Sequence, residues 1–93
     1  MKTVTIQIGN SDNKLSQAAW AAFIILINQA INKFSPEIHF HGGSNFNESW
    51  QNCAWVFDLS PEQTKELQTE VEIIRRHYQQ GSVAWTCGET EFI

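Results

Sequence analysis

Val4, Ile6 and Ile8 alternate with Thr3, Thr5 and Gln7 at the start of the chain. That period of two predicts a strand with one buried face, ended by the turn-forming run Gly9-Asn10-Ser11-Asp12. The pattern then becomes a continuous apolar stretch, residues 18–27 (AAWAAFIILI). It is too short to span a bilayer, which takes about 20 apolar residues, and suits a helix. Ser16 is placed to cap that helix, with Leu15 before the cap and Trp20 four residues into the helix forming a hydrophobic staple. The helix is expected to run to about Phe34, where Pro36 forbids continuation and pushes Ser35 toward an extended conformation.

Ile38 and Phe40 alternate with Glu37, His39 and His41 in a short second strand, stopped by Gly42-Gly43 and an Asn/Ser-rich loop. Residues 53–59 (CAWVFDL) are apolar on both faces, as expected of a central strand. Ser60-Pro61-Glu62-Gln63 combines a Ser cap, Pro at the first helical position and Gln three after the cap, which together predict the start of a second helix. Leu67, Val71, Ile74 and Tyr78 repeat at helical spacing, Arg75, Arg76 and His77 suit the helix C-terminus, and Gly81 is the expected stop. Residues 82–87 (SVAWTC) read as a fourth strand that GETEFI extends. The order β-α-β-β-α-β makes a single domain over residues 1–93. It points to an α+β, ferredoxin-like sandwich: a four-stranded antiparallel sheet with spatial order 4-1-3-2 and both helices on one face.

On a helical wheel, Trp20, Phe23, Ile24, Ile27, Ile31 and Phe34 fall in a stripe roughly 100° wide, the core face. The opposite side carries Ala18, Ala22, Ile25, Leu26 and Gln29, where a solvated helix would carry Lys and Glu. Two coverings are open. Either the loop of residues 42–49 folds back over this side, or a protein partner covers it, most simply a second copy in a dimer. Ala18, Ala22, Ile25 and Leu26 are therefore the expected interface.

Composition narrows the function. Of 93 residues, 42% are hydrophobic and 17% charged, which places the chain among folded globular proteins. A net charge of −4, with six Lys and Arg of which only Arg75 and Arg76 are adjacent, weighs against nucleic acid. No signal peptide or membrane span is visible, so a cytoplasmic setting without membrane partners is expected. Two cysteines do not make a disulfide scaffold, and strand 1 between their strands keeps Cys53 and Cys87 on the order of 10 Å apart.

The candidate chemistry is sparse. The open sheet face is expected to bear Thr3, Thr5, Gln7, His39 and His41, with strand 3 adding either Cys53, Trp55 and Phe57 or Ala54, Val56 and Asp58. If the aromatic set faces out, Trp55, Phe57 and Trp85 join the histidines in a platform for a flat ligand or a peptide. Trp50, Gln51 and Asn52 at the loop-to-strand junction combine a stacking surface with amide donors and acceptors. His39 and His41, two apart on a strand, point to one side, but with only Glu37 beside them they fall short of a metal site. Neither a metal nor another cofactor is expected. Asn10, Ser11 and Asp12 read as a turn and cap, since Asp12 would repel an anion there. Both cysteines read as buried and inert, and no catalytic residue is assigned.

At TVTIQIGNSDNKLSQ, WQNCAWVF and SVAWTCGETEF the chain resembles a small uncharacterised family of bacterial and phage proteins. The likeness covers most of the length and transfers no catalytic residue. It implies a setting in which a small acidic protein sequesters a host protein or a nucleotide-like signal. The first functional expectation is a non-enzymatic binding module, oligomeric through the first helix and holding a partner protein or small ligand. The alternative is a small enzyme acting on an aromatic or hydrophobic substrate with His39 or His41 as acid or base.

Overall fold

Strand β1 (Lys2–Gly9) and strand β3 (Asn52–Leu59) form the centre of the sheet, pairing antiparallel from Lys2↔Leu59 to Gly9↔Asn52. This register places Val4, Ile6 and Ile8 opposite Phe57, Trp55 and Cys53, so one face of the central pair is wholly apolar and buried. Strand β2 (Glu37–Gly43) flanks β3 and strand β4 (Ala84–Gly88) flanks β1, both antiparallel, giving the order β2-β3-β1-β4. Helix α1 (Gln17–Asn32) follows β1, and helix α2 (Pro61–His77) follows β3. The fold is thus the ferredoxin-like α+β sandwich that the order of elements predicts. The computed structural model describes residues 1–45 and 48–93. The expectation that residues 42–49 cover α1 rests partly on residues 46 and 47, which lie outside the described residues.

Local chemistry starts both helices. The Ser16 hydroxyl accepts from the Ala19 amide, leaving Leu15 and Trp20 buried on either side of the cap. Ser60 forms a full capping box, its side chain accepting from the Gln63 amide while Gln63 reaches back to the Ser60 amide, with Pro61 in the first turn. Both helix ends differ from expectation in the same way. Helix α1 stops at Asn32, and Ser35 turns left-handed (φ 48°) rather than extended. Its amide and that of Phe34 are used to close the last turn onto Asn32 and Ile31 carbonyls. At the end of α2 the left-handed residue is Gln79 (φ 54°), not Gly81. The Gln80 amide bonds back to the Arg75 carbonyl, and the helix closes at His77, four residues before the glycine. Strand β4 is correspondingly short, beginning at Ala84 and ending at Gly88, so the GETEFI segment does not extend it further.

The core lies between the sheet and the helices. Trp20, Phe23, Ile27 and Ile31 of α1 meet Leu67 and Val71 of α2 over the Val4–Ile6–Trp55–Phe57 floor. Trp55 is fully buried, and its indole N–H donates to Asn28 Oδ1 of α1 at 3.1 Å. That bond settles the one polar atom this large ring brings inside. On the far side of the sheet Thr3, Thr5, Ala54, Val56 and Asp58 are only half-buried.

Candidate functional site

The inner stripe of α1 is core as its spacing predicts: Trp20, Phe23, Ile27 and Ile31 are buried, and Ile24 and Phe34 pack partly buried against them. Across the helix, Ile25 is 55% exposed, Ala18 and Gln29 are exposed, and Ala22 and Leu26 are half-buried. The only polar side chains of α1 are Gln17, Asn28, Gln29 and Asn32, none of them charged. An outer surface of alanine, isoleucine, leucine and amides gains little from facing water.

The sheet resolves the choice left open for β3. Cys53, Trp55 and Phe57 face the helices and are buried, and Ala54, Val56 and Asp58 face away. Trp85 pairs with Ile6 and packs half-buried against the same core. No aromatic platform of Trp55, Phe57 and Trp85 therefore exists on the open face.

The two histidines do not share a face either. A β-bulge between Ile38 and Phe40 shifts the register of β2 against β3. It breaks the two-residue alternation on which the pairing of His39 with His41 rests. His39 lies on the open face, where its Nε2 meets Asp58 Oδ2 at 2.9 Å. His41 lies opposite Trp55 on the helix side and stacks on the indole, ring centroids 4.8 Å apart and planes 13° from parallel. Phe40, expected inward, lies opposite Val56 on the open face, its ring against Gly42. Glu37 is opposite Asp58, yet among the described residues no three His, Cys, Asp or Glu side chains are grouped to hold a metal ion.

Asp58 is the residue that sequence reasoning underweights. It accepts from His39 and, at 2.8 Å, from the Thr3 hydroxyl, and these bonds, with that from His39 the stronger, hold its carboxyl below the usual range. A lone acid in an otherwise apolar strand opposite a histidine-bearing strand is the signal that finds this pair.

The Trp50-Gln51-Asn52 cluster is split as well. Trp50 is 56% exposed and Asn52 is exposed, whereas Gln51 is buried. Its side-chain carbonyl accepts from Asn10 and Gln17, and its amide donates to Gln17 at 2.7 Å. Asn10 in turn clasps Leu15 through both its amide and its carbonyl. Gln51 is therefore buried and committed to tying the β1–α1 loop to the start of β3. Cys53 is buried, and burial pushes its thiol up, away from reactivity. Cys87, expected to be buried, is exposed because the edge strand β4 leaves its far side open. Among the described residues no helix is long and apolar enough to cross a membrane.

What the residues assemble is thus an apolar outer surface on α1 and a separate His39–Asp58–Thr3 cluster on the open sheet. The chain matches no protein-family model and no curated protein.

Proposed function

We propose that this chain is a non-catalytic interaction module that associates with a second copy through the outer face of α1. In the setting implied by the resemblance to bacterial and phage proteins, the pair sequesters a host protein or small ligand. The observation that carries this reading is a 16-residue helix with no charged side chain, with Ile25 half in solvent among Ala18, Ala22 and Leu26. Small residues four apart let two such helices approach closely, and the contact removes apolar surface that the fold itself leaves exposed. The decisive experiment is sedimentation velocity on the variant I25D/L26D. The expected result is a folded species smaller than the parent assembly; an unchanged mass overturns the reading.

A small-enzyme reading has one observation in its favour, the His39–Asp58 hydrogen bond, an arrangement that orients an imidazole for proton transfer. His41, stacked on Trp55 across the sheet, has no part in it. Under the binding reading, His39→Gln leaves self-association unchanged.

A further inference from the structure

The two edges of the sheet are not alike. Strand β2 is blunted: Pro36 precedes it, Glu37 opens it and the bulge at Ile38/Phe40 twists it. These are the devices by which proteins keep edge strands from pairing with other chains. Strand β4, though only five residues long, has no such proline, charge or bulge. Its sequence, AWTCG, carries no charge and no proline, and its register with β1 is unbroken from Gln7↔Ala84 to Thr3↔Gly88.

Beside that bare edge, α2 and the segment leading into β4 enclose an open groove of about 320 Å³, walled by apolar Val71, Val83 and Trp85 and by polar Gln68, Glu72 and Arg75 of the helix. At Gly81 nothing stands within 4 Å of where a side chain would begin. Downstream of β4, Phe92 is 89% exposed and Ile93 is free in solvent. This segment does not fill its own chain's groove, because it leaves from the other end of β4, about 17 Å away for a five-residue strand. Contacts of Glu89 with Lys2 and of Thr90 with Thr3 keep it running on past β1.

We propose that a second copy of this chain adds antiparallel to the open edge of β4, laying its residues 89–93 along residues 81–85 of the first. With the two-fold axis near Cys87, Glu91 of the second copy falls opposite Val83 and Ile93 opposite Gly81. Alternation from Trp85 puts both on the helix side. Ile93 then enters the groove beside Val71, Val83 and Trp85, and Glu91 lies near the Arg75 guanidinium, which also faces Glu72 and donates to the Gln80 carbonyl. The pairing is reciprocal, so both grooves fill at once. It uses a surface separate from the outer face of α1 and stands independently of the self-association assigned to that helix.

Cys87, exposed on β4, is a built-in reporter. Residues opposite or diagonal across a strand pair lie about 5–8 Å apart, so a short bis-maleimide should link two chains through Cys87, and Cys87→Ser should abolish the link. The I25D/L26D variant should cross-link as the parent does. Loss of cross-linking there would show that the proximity comes from α1 and would overturn β4 pairing. Lysines on the edge, A84K/T86K, should abolish the link with the circular dichroism spectrum retained; undiminished cross-linking overturns the proposal. Ile93→Asp, at an exposed position that the fold does not need, should lower the yield several-fold, and an unchanged yield removes the tail from the interface. Absence of any cross-linked dimer from a parent chain whose Cys87 reacts with a monofunctional maleimide also overturns it.

Discussion

Helix α1 runs for 16 residues without a charged side chain, while α2, on the same side of the same sheet, carries Glu62, Lys65, Glu66, Glu70, Glu72, Arg75 and Arg76. Their inner faces do the same work, burying Trp20, Phe23, Ile27 and Ile31 in one case and Leu67 and Val71 in the other. Their outer faces diverge. α2 has an acidic residue in its first turn, basic residues in its last and an Arg76–Glu72 pair at 2.7 Å, so local interactions favour the helix and its outer surface suits water. α1 has no charged side chain within its first or last turn and depends on packing for its helicity. The contrast shows that burial by the sheet alone does not account for the composition of α1. One flank of it packs in the core, and the other is the surface on which the proposed self-association rests.

The largest expected effect tests the inner half of that comparison. Phe23→Ala should cost about 3–5 kcal/mol in urea unfolding, from lost apolar burial and the cavity left among Trp20, Tyr78 and the sheet. A cost below about 1 kcal/mol would mean that α1 is held by something other than its core stripe. Next in size are the caps. Ser60→Ala should cost about 1–2 kcal/mol and Ser16→Ala about 0.5–1 kcal/mol by the same measurement, since only Ser60 has the reciprocal Gln63 bond. Equal losses would erase the distinction between a locally specified helix and a packing-dependent one. The smallest stability effects carry the sharpest contrast. Ile73 on α2 is 64% exposed, slightly more than Ile25, but sits among charged neighbours. Ile25→Lys and Ile73→Lys should each change stability by less than about 0.5 kcal/mol, while only Ile25→Lys weakens self-association, by tenfold or more in sedimentation equilibrium. Equal weakening by both would dissolve the difference between the two outer faces.

The elements and their order are legible in the sequence because each rests on a local signal: alternation in β1, the caps at Ser16 and Ser60, the apolar run of β3. What local reading misses is set by registers and distant partners. Nothing in EIHFHGG announces the bulge, and one shifted residue sends His41 to the opposite face from His39 and turns Phe40 outward. Gln51 looks like a recognition residue until Asn10 and Gln17, both far from it along the chain, are found holding it. The facing of Trp55 is undecidable from a strand apolar on both sides. It is fixed by pairing with Ile6, whose own strand alternates cleanly. The left-handed residues Ser35 and Gln79 escape detection because the helix ends are closed by backbone bonds that any residue can make.

The position of β3 also dictates how the chain emerges during synthesis. β1 and β2 do not touch; each pairs with β3, which is completed only at Leu59. Until then α1 has no sheet to pack on, and both of its apolar flanks are bare. At the usual pace of translation that interval is on the order of seconds. The apolar run of α1 therefore gains its cover only when β3 takes its place between β1 and β2. The order of synthesis thus leaves the most apolar segment of the chain waiting longest for its floor.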